Sequence, residues 1–271
     1  MDPKKNVRTT ELLQLDRYLQ QSGKFSRREA AQIIKSGRVT VDGKKEIRPF
    51  RRVNLAVEKV RLDGKFLKMQ RKHVHILWNN PRGLISTHHD PQGRRTIYSL
   101  LPKDRHMFSV GRLDMDTSGV ILLTSDGELA RRLELPETGI KRVYRAVVDG
   151  KVNRGMKQSA AEGLEIDGIK MRPAILERVS RTPDGGDIVD ITVTEGKYHE
   201  VKRIMEALGR NVIRLDRLAF AGLTTEGLGR GKWRALTRDE IRDLLKLTKL
   251  WRERKQIIEE CDSKFNKRYR R

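Results

Sequence analysis

Gly111-Arg112-Leu113-Asp114-Met115-Asp116-Thr117-Ser118-Gly119 leads directly into Val120-Ile121-Leu122-Leu123-Thr124, so a charged, turn-prone loop feeds an apolar, strand-like run. A carboxylate held at the edge of a buried strand beside an arginine is partly desolvated, yet keeps a counter-charge that favours its ionised form. Asp114, with Arg112 as its neighbour, is therefore the first candidate for chemistry. Taken alone, an aspartate in a Leu-Asp-x-x-Thr turn is more often a turn former or a helix cap, so the assignment depends on what surrounds it.

Three other arrangements fail on spacing. Gly227-Leu228-Gly229-Arg230-Gly231-Lys232 suggests a phosphate loop, but Trp233 stands where serine or threonine is required and the first glycine is one place out of register. His88 and His89 are adjacent rather than one helical turn apart, and no further cluster completes a metal site. Asp114 and Asp116 lie too close in one loop to flank a glycosidic bond as a carboxylate pair. No metal site is expected.

The elements that must position the loop can be read from periodicity. Leu12, Leu15 and Leu19 share one helical face, with Gly23 placed to end that helix. Ser26-Arg27-Arg28-Glu29 reads as a capping box, after which Ala30, Ile33 and Ile34 form a buried stripe and Gly37 closes the helix in the left-handed conformation. Val39-Thr40-Val41-Asp42-Gly43-Lys44 follows as a strand entering an Asp-Gly hairpin turn. The result is a small helix-helix-hairpin unit with a basic edge of Lys24, Arg27, Arg28, Lys35 and Arg38, none of which the apolar stripe needs.

Gln70-Arg71-Lys72-His73 separates that unit from His75-Ile76-Leu77-Trp78, the expected first strand of a second domain. The linker is placed near residues 68–73. Beyond it, the patterns predict a helix over 126–135, strands over 143–149 and 187–194, and a helix over 200–208 with Val201, Ile204, Met205 and Leu208 on one face. A helical stretch over 239–250 precedes a tail rich in Lys264, Lys267, Arg268, Arg270 and Arg271. Domain limits are accordingly 1–68 (core about 13–67), 69–245, and a basic tail over 246–271 that is expected to act as an accessory clamp on nucleic acid.

Lysine and arginine total 59 against 36 acidic residues, a net charge of +23, which favours a polyanionic partner. Residues 1–72 hold 20 of the basic residues against 8 acidic ones, about half of the net charge in about a quarter of the length. No apolar run approaches the roughly 18 to 20 residues needed to cross a bilayer, and the start lacks a signal-peptide core. A cytoplasmic protein with no membrane partner is expected. The single cysteine, Cys261, excludes an internal disulfide and a cysteine-rich zinc site.

The segment from about Leu13 to Leu67 resembles the S4 RNA-binding domain, through Leu15-Asp16-Arg17, the Ser-Arg-Arg-Glu-Ala run at 26–30 and the Gly-Arg-Val-Thr-Val-Asp-Gly hairpin at 37–43. That resemblance implies that Lys24, Arg27, Arg28 and Arg38 grip a folded RNA helix, mainly through phosphates. Nearly the entire chain, up to about residue 245, resembles the RsuA-type pseudouridine synthases of bacterial ribosomal RNA. The motifs are Asn80-Pro81-Arg82-Gly83 with Ser86-Thr87, the Arg112-Leu113-Asp114 triplet, Lys141-Arg142-Val143-Tyr144, Glu195-Gly196-Lys197-Tyr198-His199-Glu200-Val201-Lys202-Arg203-Ile204, and Gly231-Lys232-Trp233-Arg234-Ala235-Leu236. In the first of them Asn79 and Asn80 precede Pro81, and the family's usual lysine is absent.

The resemblance implies an α+β chain: a small S4 (αL-type) domain followed by a catalytic domain with a mixed, mostly antiparallel sheet flanked by helices. It implies isomerisation of a uridine in ribosomal RNA, 23S favoured over 16S, on free RNA or an assembling ribosomal subunit, by a monomer. Breaking the N-glycosidic bond and rejoining the base through C5 needs one carboxylate, as nucleophile or as charge stabiliser, and no metal or redox cofactor. By carry-over Asp114 is that carboxylate, Tyr144 stacks under the base with its hydroxyl near C5, and Lys202 is the basic partner, with Arg203 as the reserve one residue away. Arg112 fills the space the base leaves or anchors its phosphate, with an ordinary ion pair as the alternative; Val201 packs beside the base or in the core. The competing class is a non-catalytic RNA-binding or ribosome-assembly protein that keeps the fold.

Overall fold

The computed structural model describes residues 12–22, 24–54, 57–67, 73–88, 90–101 and 107–251. Gly23, most of the expected linker and the tail beyond 251 lie outside the described residues. Contacts divide the chain into two compact units, one before Val74 and one from Val74 onward.

The first unit runs β1 (Leu12–Gln14), α1 (Leu15–Gln20), α2 (Arg27–Lys35), β2 (Val39–Val41), β3 (Lys44–Lys45), β4 (Arg52–Asn54), β5 (Val60–Leu62) and β6 (Lys65–Phe66). The capping box forms as expected: the Glu29 amide donates to Ser26 Oγ at 3.2 Å and the Ser26 amide donates to the Glu29 carboxylate at 2.7 Å. Ala30 and Ile34 are buried against Leu15, Leu19 and Val39, and Gly37 takes the left-handed conformation with φ 74°. Asp42 and Gly43 both have positive φ, which gives the type I′ twist that joins β2 to β3 without splaying them. One expectation is corrected. Leu12 is not on the α1 face but 55% exposed in β1, which pairs antiparallel with β4; the helix starts only at Leu15.

The second unit begins with β7 (His75–Asn80), β8 (Phe108–Val110), β9 (Thr117–Thr124), α3 (Gly127–Glu134) and β10 (Arg142–Val148). It continues through α4 (Arg154–Glu162), β11 (Glu165–Ile166), β12 (Ile169–Lys170), β13 (Ile175–Arg181), β14 (Asp187–Val193) and α5 (Glu200–Ala207). Last come β15 (Val212–Phe220), β16 (Leu223–Thr224), β17 (Trp233–Ala235) and α6 (Arg238–Leu247). Its main sheet has the order β13-β14-β10-β15-β9-β7-β17, with β16 added to β15 and β8 to β9. The β15–β9 ladder is parallel and the other ladders of this sheet are antiparallel, which is the mixed, mostly antiparallel α+β arrangement anticipated.

The apolar run after the Asp114 loop is continuous because β9 is covered on both faces. Val120 and Leu122 pack with Leu129 and Leu133 of α3 and Leu244 and Leu245 of α6. Ile121 and Leu123 pack on the other side with Trp78, Leu84, Ile97 and Leu113. A further core, of Ala146, Val148, Val189, Ile191, Val201, Ile204 and Met205, joins α5 to the β10–β14 half of the sheet. The compact part also reaches past the expected limit at 245, since Leu250 is fully buried and Trp251 packs on the α3–α6 core.

Gly119 shows how tightly the sheet is closed. It sits in β9 with φ 110°, opposite Arg217 of β15, and a Cβ there would overlap the Arg217 backbone. Gly119→Ala should therefore destabilise the protein by about 3 kcal/mol or more in chemical denaturation. Gly43→Ala, at an open turn with φ 80°, should cost only about 1 to 2 kcal/mol. Equal effects at the two sites would mean that the β9–β15 approach is not the constraint.

Candidate active site

Asp114 is placed by a loop with little freedom. Leu113 is buried among Leu84, Ile97 and Ile121, and its amide donates to Ser86 Oγ at 3.3 Å. The Gly83 amide donates to the Met115 carbonyl at 2.7 Å, and the Thr117 amide donates to the Asp114 carbonyl at 2.9 Å, closing a turn as β9 begins. The Asn-Pro-Arg-Gly and Ser-Thr elements noted in the sequence are thus braces for the loop. Asp114 does form a turn, through its backbone, which leaves its carboxylate for other work.

That carboxylate lies in a cavity of about 450 Å³, together with Arg112, Arg142, Tyr144, His199, Lys202 and Arg217 among the lining residues. Lys202 Nζ stands 3.5 Å from Asp114 Oδ2 and donates to both oxygens of Asp116, at 2.8 and 2.9 Å. His199 Nε2 is 3.3 Å from Asp114 Oδ1. His199 and Lys202 are three residues apart at the start of α5, so one helix face presents both nitrogens to the loop. Burial works against ionisation of Asp116, but the Lys202 hydrogen bonds and charge outweigh it and hold that carboxyl below its usual range. The two aspartates gather on one lysine rather than facing each other across a bond.

Several sequence expectations change here. The charge beside Asp114 comes from α5 and not from Arg112, which is exposed at the cavity wall with no ion pair among the described residues. Asp114 itself is one-third exposed, less desolvated than its position at a strand edge suggested. Arg203 is turned away: it pairs with Asp167 at 2.8 Å and does not line the cavity. Val201 is buried in the core and also lines the cavity. Tyr144 sits half-buried on the cavity wall, opposite Arg217 in the β10–β15 register. The glycine-rich segment before Trp233 holds β7 and no phosphate loop: the Gly231 amide donates to the Asn79 carbonyl at 2.8 Å and Arg230 reaches the Asn79 side chain at 2.9 Å.

In the first unit, the basic edge is partly spoken for. Arg27 pairs with the buried Asp16 at 2.5 Å and Arg38 forms a two-pronged pair with Asp63, while Lys24 and Arg28 are exposed. Arg27 therefore supports the α1–α2 packing as well as facing solvent.

Besides His199, three buried ionisable residues of the cavity were given no role by the sequence reading. Arg142 and Arg217 are buried guanidiniums whose charges lie 5.4 and 5.2 Å from the Phe220 ring centre. Arg217 Nε donates to the Val120 carbonyl at 2.7 Å, so a charged residue occupies an inward strand position where an apolar one is the ordinary choice. Glu200 is the third. Burial pushes its carboxyl up to about 7, repulsion from Glu195 adds to this, and Arg142 and Lys197 oppose it.

Two family profiles match the chain: RNA pseudouridylate synthase over residues 74–207 and the S4 domain over residues 14–48. An uncharacterised RNA pseudouridine synthase of Aquifex aeolicus is 37% identical over 86% of this chain and 94% of its own length. The ribosomal large subunit pseudouridine synthase B of Yersinia pestis is 35% identical over 93% of this chain and 79% of its own. A crystal structure of a pseudouridylate synthase superposes with a TM-score of 0.60 at 27% identity, covering 86% of this chain and 99% of that one.

The Glu200 environment has a consequence for stability. A carboxyl whose folded pKa is raised above the ordinary value of 4.5 holds its proton more tightly in the folded state, so stability falls as pH climbs from that value through about 7. Glu200→Gln should melt several degrees above wild type at about pH 8 and level with it at about pH 5. A constant difference across that range would place the carboxylate in solvent.

A cavity that gathers Asp114, Tyr144 and Lys202 on this sheet, and relatives that match it along most of their length, lead to one conclusion: the chain belongs to the RNA pseudouridine synthase family, with an S4 domain ahead of the synthase domain.

Proposed function

We propose that the protein converts one uridine of ribosomal RNA, in the 23S molecule, to pseudouridine with Asp114 as the catalytic carboxylate. The observation that carries this reading is the position of Asp114, 3.5 Å from Lys202 in the cavity that Tyr144 also lines. The large-subunit target is supported by the Yersinia pestis relative named for that subunit.

In this reading the C1′–N1 bond breaks with its electron pair leaving on the uracil. Asp114 traps or stabilises the cationic C1′. The base turns, C5 bonds to C1′, the C5 proton is lost and N1 gains one, so composition is unchanged. Tyr144 supplies the face on which the base lies, and Val201 packs beside it. Lys202 sets a positive charge beside the Asp114 carboxylate, and Asp116 balances the lysine. Arg112, exposed and without an ion pair among the described residues, meets the phosphate or the gap left by the extruded nucleotide. Arg203 is assigned no direct role.

Residues 1–68 act in this scheme as the S4 grip on RNA phosphates through Lys24, Arg28 and the outer faces of Arg27 and Arg38. Residues 69–251 act as the synthase, and the basic stretch beyond them as an accessory clamp. The working form is a cytoplasmic monomer acting on rRNA or an assembling subunit. Among the described residues, no helix is long and apolar enough to cross a membrane.

Asp114→Asn should abolish conversion while leaving RNA affinity near wild type; turnover by that variant would overturn the assignment. Pseudouridine mapping of rRNA from cells lacking the gene, complemented by each form, identifies the nucleotide. For the S4 grip, log affinity should fall with log salt by roughly 0.7 to 0.9 per phosphate neutralised, and deletion of residues 1–68 should flatten that slope. An unchanged slope would remove the S4 unit from substrate binding.

A further inference from the structure

His199 occupies a place where its backbone and cap geometry favour other residues. Its φ of 50° and ψ of 31° are left-handed, a conformation that glycine or asparagine adopts at less cost. It is also the N-cap of α5, a position that favours serine, threonine, aspartate or asparagine, yet its side chain makes no cap hydrogen bond. What the imidazole does have is Asp114 Oδ1 at 3.3 Å and a stacked neighbour, Tyr198, whose ring centre lies 3.8 Å away at 19° between planes. Tyr198 is 70% exposed at the cavity.

We propose that His199 is a positioning residue for the reaction: its Nε2–H donates to Asp114 Oδ1 and, with Lys202 at Oδ2, orients the carboxylate toward C1′. This rests on Asp114 being the catalytic group. The two oxygens are then held by two side chains from one helix face, and the stack on Tyr198 limits how far the imidazole can swing. Contacts of 3.3 and 3.5 Å are of the length that tightens to hydrogen bonds once substrate fills a site. Lys202 alone cannot fix the carboxylate, because its nearer partner is Asp116 at 2.8 Å. The histidine is what distinguishes Asp114 from its neighbour two residues on.

The test separates the N–H from shape. His199→Phe keeps a ring for Tyr198 to stack on and removes the donor; His199→Gln restores a donor of similar reach. Single-turnover conversion of an rRNA fragment should slow roughly 30- to 100-fold in His199→Phe and recover to within a few-fold of wild type in His199→Gln, with RNA Kd within twofold in both. If His199→Phe melts early, His199→Ala with and without added imidazole makes the same separation, with imidazole expected to restore the rate. A wild-type rate in the donor-less variant, or a rate loss matched by lost RNA affinity, overturns the proposal. Asp114→Asn assayed beside them separates the two claims: if it turns over, the catalytic assignment fails, and if it is inert while His199→Phe is fully active, only the positioning role fails.

Discussion

The short parallel ladder between Thr117–Gly119 and Leu215–Arg217 is the joint on which the synthase unit depends. In the strand order, β13, β14, β10 and β15 lie on one side of it and β9, β7 and β17 on the other. The site straddles that joint. Arg112 and Asp114 come from the loop before β9, whereas Tyr144, His199 and Lys202 come from β10 and α5. The strands meet so closely at Gly119 that no side chain fits, which fixes the Asp114 loop relative to the helix bearing its cations.

Charge is distributed across this seam by burial as much as by pairing. Asp114 and Asp116 gather on Lys202, and His199 stands at the other oxygen of Asp114. Arg142 and Arg217 are buried beside Phe220, and burial likewise pushes the Glu200 carboxyl toward neutrality. The cavity thus combines buried guanidiniums with an Asp114 carboxylate that has a side-chain nitrogen within 3.5 Å of each oxygen.

Local signals were legible wherever a few neighbouring residues decide the outcome. The Ser26–Glu29 box and the Asp42-Gly43 turn are side-chain-to-backbone and backbone-twist effects within a few positions. The β15 strand was not legible, because Arg214, Asp216 and Arg217 interrupt its apolar pattern while Ile213 faces solvent. Arg217 is inward only because Phe220 and the Val120 carbonyl receive its guanidinium, and those partners lie on the same sheet rather than nearby in sequence. Leu12 misled for the related reason that β4, forty residues away, claims it for a strand.

For the site, the motif residues Asp114, Tyr144 and Lys202 could be named from the chain because each sits in a stretch whose types and order resemble one family. Which cation serves which carboxylate could not, since Lys202 and Arg203 are adjacent on a helix and point about 100° apart. Tertiary packing settles it by burying Val201, Ile204 and Met205, which turns Lys202 toward the Asp114 loop and Arg203 toward Asp167. The same rotation brings His199, one turn earlier, to the other oxygen of Asp114. Sequence alone determined which residues carry charge and where α2 begins; the fold decided their partners, because pairing depends on the face a helix buries and on strands that meet only in the finished sheet.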